Sequence, residues 1–85
     1  MVDCTIVVPV WCFDRRISQV WKDAEAAYRA NSDGARLYVV DNGSAVPIRA
    51  DHRFEQNQGW AVAVNHGLAA ADTEWIAVGS HDTIV

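Results

Sequence analysis

The sequence has few of the residues that mark disulfide-stapled, membrane or nucleic-acid-binding proteins. It contains two cysteines, two prolines, and 7 Lys and Arg against 11 Asp and Glu, which gives a formal net charge of −4. There is no basic stripe that could follow a nucleic-acid backbone. No apolar run approaches the roughly 18–20 residues that cross a bilayer, and the N-terminus lacks the basic region of a signal peptide. We therefore predict no nucleic-acid partner and no membrane span.

The two cysteines, Cys4 and Cys12, do not suit a disulfide or a zinc site. They lie eight positions apart, which corresponds to roughly 26 Å of extended strand. They also lack the Cys-x-x-Cys spacing and the cluster of histidines that zinc sites use. We expect reduced thiols in a cytoplasmic protein.

The glycine-rich loops that hold phosphates in many nucleotide-binding proteins are also missing. No Gly-x-Gly-x-x-Gly follows the first apolar run, and no Gly-x-x-x-x-Gly-Lys-Ser/Thr occurs. A dinucleotide-binding Rossmann fingerprint and a P-loop are therefore both disfavoured. If this chain binds phosphates, a metal would have to hold them.

What the sequence does contain is an alternation of β-rich runs and helical periodicity in a single domain, 1–85. Asp14 is a candidate N-cap for the first helix, and Pro9 is expected to stop or bend the first strand. The order β-α-β-(β)-α-β predicts an α/β fold, a mostly parallel Rossmann-like sheet flanked by helices. The pattern predicts strands at Cys4–Val10, 35–40, 52–55 (a short edge strand) and 73–78, and helices at 14–30 and 59–71.

Three predicted strands end in polar or aromatic residues. The first ends in Pro-Val-Trp-Cys at 9–12, the second in Asp-Asn-Gly-Ser at 41–44, and the last in Ser-His-Asp at 80–82. The carboxyl ends of parallel strands share one edge of the sheet, where ligands of open α/β folds bind. An aromatic ring suits a nucleobase, and carboxylates suit a hard divalent cation bound to phosphates. The edge therefore predicts a site for a nucleotide and a metal.

Four segments together resemble the N-terminal, nucleotide-binding half of family-two glycosyltransferases with the GT-A fold, in particular rhamnosyltransferase-like members. They cover nearly the whole chain in the family's order and spacing. The segments are TIVVPVW at 5–11, YVVDNGS at 38–44, NQGWAVAVNHGL at 57–68 and EWIAVGSHDT at 74–83.

The resemblance implies roles for individual residues. Asp82 would be the last acid of the family's Asp-x-Asp motif and would bind Mn²⁺ or Mg²⁺, with Ser80 where many members have the first acid. The donor would be a nucleotide-diphosphate sugar, most often a UDP-sugar. The residues that would bind the nucleotide are Pro9, Trp11, Asp41, Asn42, Asn57, Gly59, Asn65 and Ser80.

Several of these residues also have a purely structural interpretation. Asp41 could cap the turn that follows it, and the Asn65 side chain could bond to nearby backbone. Asp82 could be a solvated acid, and His81 is expected to be a bystander. We expect Cys4, Trp21, Trp60 and Trp75 in the core or in helix packing, and His52 and His66 at the surface.

The functional expectation is a glycosyltransferase-like protein that transfers a sugar if an acceptor half or a partner chain is supplied. The family's acceptor half and its general base follow the segments found here, and no acid or histidine follows Asp82. The alternative is a non-catalytic nucleotide-binding or assembly module built on the same fold. The apolar residues 83–85 and an open sheet edge predict self-association, for example as a dimer.

Overall fold

The computed structural model describes residues 3–32, 34–46 and 48–81. Within these ranges the chain forms an α/β fold with two helices and a four-stranded, all-parallel sheet in the order β3-β2-β1-β4. This confirms the predicted class and the order β-α-β-(β)-α-β. The elements are β1 (Cys4–Val10), α1 (Arg15–Asn31), β2 (Arg36–Asn42), β3 (His52–Phe54), α2 (Trp60–Ala70) and β4 (Trp75–Val78).

Helix α1 covers one face of the sheet. It begins at the predicted cap, because the Asp14 Oδ1 atom accepts a hydrogen bond from the Ile17 N–H at 3.0 Å. Its buried residues recur every three or four positions and meet alternate residues of β1 and β2. The buried cluster between α1 and the sheet consists of Val8, Val10, Cys12, Trp21, Ala24, Tyr28 and Val39.

Helix α2 packs against β1 and β2 on the opposite face, where it approaches the side chains of β1 closely. Gly67 faces Val7, and a Cβ atom at position 67 would overlap the Val7 side chain. Glycine normally weakens a helix interior. At Gly67 its lack of a side chain is what allows α2 to lie close to β1.

β1 ends at Val10, one residue after Pro9, with the bounds that the sequence predicted. The Gly79 N–H donates to the Val7 carbonyl at 2.9 Å, so the backbone groups of Val7 point toward β4. Position 9 points the same way, because alternate residues of a strand share a direction. β4 ends at Val78, so Pro9 lies where the pairing between β1 and β4 ends. The backbone N–H that proline lacks is therefore not needed for this pairing.

Two tryptophans expected in the core or in helix packing are exposed instead. Trp60 begins α2 with 63% of its surface exposed, and Trp75 begins β4 with 66% exposed, whereas Trp21 is buried as predicted. Cys4 is only half-buried, although it was expected in the core, and both cysteines are free thiols as predicted. The cause lies in the topology, because β4 is an edge strand and Trp60 stands at the sheet's carboxyl edge.

Within the described ranges, no helix combines the length and apolarity that crossing a membrane requires. Asp82 and the apolar residues 83–85 lie outside these ranges. The metal role predicted for Asp82 therefore stays a prediction.

Candidate functional site

A cavity of about 180 Å³ lies at the carboxyl ends of β1 and β2. Four residues that the sequence assigned to the nucleotide site line it together: Pro9, Trp11, Asn42 and Asn57. They come from three segments that are far apart in the sequence, and the parallel sheet brings two of these segments to one edge. The remaining lining residues are Val10, Trp60 and His81.

Asn42 shapes this cavity by holding the loop between β3 and α2. Its Oδ1 atom accepts a hydrogen bond from the Gln58 N–H at 2.8 Å. Its Nδ2 atom donates to the Gly59 carbonyl at 3.1 Å and to Asn57 Oδ1 at 3.3 Å. Asn57 Oδ1 also accepts from the Gly59 N–H at 2.8 Å. The Asn42 amide is thus engaged by the protein, so Asn42 positions the wall that Asn57 presents.

Gly43 and Gly59 allow this loop to lie against the end of β2. Both have left-handed backbones, with φ of 78° at Gly43 and 87° at Gly59. A side chain at Gly43 would overlap the backbone of Gln56 and Asn57. Glycine is therefore required at position 43 for a steric reason as well as a conformational one.

Asp41 is fully buried and caps the turn behind the cavity. Its Oδ1 atom accepts a hydrogen bond from the Ser44 N–H at 2.9 Å, and Ser44 Oγ accepts one from the Cys12 N–H at 2.8 Å. The Cys12 carbonyl in turn accepts from Ala45 and Val46. This network ties the loop after β1 to the loop after β2. The interpretation of Asp41 as a turn cap is correct. Asp41 does not line the cavity, and its contact with a nucleotide stays a prediction.

The second oxygen of Asp41 is unusual, because it is buried and accepts no hydrogen bond among the described residues. The nearest cation is Arg53, whose Nε lies 3.6 Å from Asp41 Oδ2. Burial is the main reason that the pKa of the Cys12 thiol is raised, and the negative charge of Asp41 adds to it. The buried Cys12 thiol is thus held in its neutral form.

The structure places three other predicted residues away from the cavity wall. Gly59 contributes through its backbone to the loop, as described above. Asn65 is exposed in the middle of α2. Ser80 lies beside Tyr28, whose hydroxyl donates to the Ser80 carbonyl and accepts from the Ser80 N–H, both at 3.1 Å. Ser80 lines a separate groove of about 470 Å³ along α1 and β4.

Among the described residues that line the cavity there is no carboxylate, and His81 is the one titratable side chain. The described part of the chain holds no cluster of three or more His, Cys, Asp or Glu residues that could bind a metal. These walls suit an uncharged ring better than a diphosphate or a cation. Holding Mn²⁺ or Mg²⁺ would depend on Asp82 and on oxygens from the ligand.

Sequence reasoning missed Trp60 and His81 as lining residues. Trp60 follows Gly59 at the start of α2, and a helix that follows a parallel strand starts at the carboxyl edge. That position was a usable signal. His81 could have been found from its place between two predicted site residues, Ser80 and Asp82.

A pair of histidines outside the cavity also departs from expectation. His52 of β3 and His66 of α2 were predicted at the surface, but both are half-buried, with ring centroids 3.8 Å apart. Tyr38 Oη lies 3.4 Å from His66 Nε2. Burial, and then the neighbouring His52, lower the pKa of His66.

Comparisons with models of protein families, with curated proteins and with solved structures found no match to this chain.

Proposed function

We propose that this chain binds the nucleotide of a nucleotide-diphosphate sugar at the carboxyl edge of its sheet, as a glycosyltransferase-like domain of the GT-A type. The observation that carries the proposal is the meeting of Pro9, Trp11, Asn42 and Asn57 around one cavity. These residues were singled out from sequence motifs that lie up to 48 positions apart. Open parallel sheets bind ligands at this edge.

The chemistry of the cavity supports the base as the part that it receives. Its volume of about 180 Å³ is below the range of about 300–1,000 Å³ that holds whole drug-sized ligands. Trp11 offers a partly exposed ring for stacking, and the uncharged walls suit a neutral pyrimidine. The sugar and the diphosphate would extend out of the cavity toward the last strand end, where the resemblance places Asp82 and a divalent metal.

The proposal of sugar transfer is supported by the resemblance alone, whereas the proposal of nucleotide binding is also supported by the cavity. Deprotonation of an acceptor hydroxyl needs a base within hydrogen-bond reach. The described cavity wall offers no carboxylate for that role. This observation favours the alternative, a nucleotide-binding module without turnover, as the second candidate.

Calorimetric titration with UDP, GDP and dTDP, each with Mn²⁺ or Mg²⁺, tests the proposal. We expect binding of a pyrimidine nucleotide, weakened about 5- to 160-fold in Trp11→Ala, since stacking of a base on an aromatic ring contributes about 1–3 kcal/mol. Phe13→Ala is the matched control. Phe13 packs beside Trp11 with ring centroids 5.1 Å apart and is 50% exposed against 44% for Trp11, but it does not line the cavity.

The result that refutes binding is a folded protein that takes up none of these nucleotides at millimolar concentration. Equal affinities for Trp11→Ala and Phe13→Ala would refute the assignment of the cavity. Turnover is a separate question, answered by incubating the chain with a UDP-sugar and metal. Metal-dependent release of UDP would exclude the non-catalytic module.

A further inference from the structure

The two edges of the sheet differ in how they are protected. β3 is three residues long and carries Arg53, and its His52 packs on α2. β4 lies at the other edge, and all four of its residues are exposed and uncharged. Natural proteins usually shield such an edge with charge, proline, a bulge or a covering segment. No other strand of the described ranges pairs with the outer side of β4.

The register of β4 shows which backbone groups are free to pair. The Trp75 N–H donates to the Asp3 carbonyl at 3.0 Å, and the Gly79 N–H donates to the Val7 carbonyl at 2.9 Å. The backbone groups of odd-numbered residues therefore point toward β1. Those of Ile76 and Val78 point outward, because the direction alternates along a strand. They form two donors and two acceptors on an open edge.

A groove of about 470 Å³ runs beside this edge on the face covered by α1. Ile6, Tyr28, Ala77 and Gly79 form part of its walls. A Cβ atom at Gly79 would overlap the Tyr28 hydroxyl, so glycine keeps this end of the groove open. The Trp75 side chain, which is 66% exposed, lies on the same face as Ala77, two residues away.

We propose that the partner of this edge is a second copy of the chain, paired antiparallel through β4 with Ile76 of each copy opposite Val78 of the other. In this register the four donors and the four acceptors that point outward from the two strands pair in four hydrogen bonds. Ala77 then faces its own counterpart across the two-fold axis in a non-hydrogen-bonded pair. Such pairs bring side chains closest together, and alanine is small enough for one.

The same register fits the exposed tryptophan to the groove. Trp75 of one copy stands across from Gly79 of the other, at the open end of that copy's groove. The match is reciprocal, as a two-fold interface requires. Each copy thus offers both the protruding ring and the space that receives it, which selects this register over one with Ile76 opposite itself.

Charge and area also fit a second copy. β4 carries no charge, and Glu74 falls opposite Ser80, so no like charges face each other between positions 74 and 80. Trp75, Ile76, Ala77 and Val78 are all exposed, and covering them in both copies would bury roughly 700 Å² in total, below the range of about 1,200–2,000 Å² of stable interfaces. We therefore expect a weak dimer that forms with rising concentration.

Sedimentation equilibrium from about 10 µM to about 1 mM tests the dimer, since a dissociation constant of about 10–100 µM falls within that range. The mass should rise from one chain toward two. Ile76→Lys and Trp75→Ala should each weaken the dimer at least tenfold. Val20→Lys is the matched control, because Val20 on α1 is 38% exposed against 40% for Ile76 and lies away from the edge. Far-UV circular dichroism checks that each variant folds.

Amide exchange followed by NMR on the unmodified chain tests the register without any substitution. The amides of Ile76 and Val78 should become protected as concentration rises, whereas those of Trp75 and Gly79 should be protected throughout. A monomer at about 1 mM would overturn the proposal and leave the edge to a different partner. So would a dimer that leaves exchange at Ile76 and Val78 unchanged, or a folded Ile76→Lys variant that dimerises as tightly as the unmodified chain.

Discussion

Replacement of Asn42 by alanine should destabilise the fold, because one amide connects β2 to the loop that walls the cavity. The variant loses hydrogen bonds of 2.8 Å to the Gln58 N–H, 3.1 Å to the Gly59 carbonyl and 3.3 Å to Asn57 Oδ1. A typical hydrogen bond contributes about 0.5–1.5 kcal/mol net. Gln58 and Gly59 are exposed, so water can reach the groups left behind. The expected loss is about 2–3 kcal/mol, the sum of two ordinary bonds and one long one.

This loss is large for a chain of this length. Eighty-five residues at about 0.05–0.15 kcal/mol each give a total stability of roughly 4–13 kcal/mol. Urea denaturation should therefore show a clear shift in midpoint. Asn42→Asp should cost at least as much, because it keeps the acceptor for Gln58 but sets a carboxylate against the oxygens of Gly59 and Asn57.

Asn65→Ala is the matched control, since Asn65 is exposed within α2 and alanine has the higher helix propensity. Its stability should stay within about 0.5 kcal/mol of the unmodified chain or rise slightly. If Asn42→Ala changes stability no more than Asn65→Ala does, Asn42 does not hold the loop, and the account of how the cavity forms is wrong.

Two further predictions concern the packing of α2. Gly67→Ala should lower the free energy of unfolding by about 1–3 kcal/mol, because the new methyl group overlaps Val7; a stabilised variant in urea denaturation would contradict the close approach. The unfolded chain takes up a proton at His66 near pH 6.5, whereas the folded chain does so only at lower pH because its pKa is lowered. Stability should therefore fall as pH drops from about 6.5 through the folded pKa of His66. Denaturation at pH 7.5 and 5.5 should show a smaller difference in His66→Gln, and an unchanged difference would assign the pH effect to other groups.

Much of the architecture follows from local patterns in the sequence. The apolar spacing and the Asp14 cap predicted α1 to within a residue at its ends, and the alternation of elements predicted the parallel sheet. These features depend on neighbours in the sequence, so local reasoning reaches them. The end of β2 was predicted two residues early, because Asp41 and Asn42 gain strand partners in β1 and β3 that only the assembled sheet supplies.

The sequence predicted several of the residues that line the cavity but not the role of each side chain there. Pro9, Trp11, Asn42 and Asn57 do meet around one cavity, as the shared edge of parallel strands requires. Whether a polar group faces a ligand or the protein depends on contacts with distant segments. Asn42 turned out to bind the loop at 57–59, and one oxygen of Asp41 turned out to cap its own turn.

Sequence patterns alone therefore predicted the elements, their order and four of the residues that meet at the carboxyl edge, because strand and helix periodicity and capping act over a few residues. Which of those residues are buried, which form hydrogen bonds within the protein and which are exposed depends on the tertiary structure. Asp41 is buried because α1 and the loop after β1 close over its face of β2. Trp60 and Trp75 are exposed because α2 begins at the carboxyl edge and β4 ends the sheet.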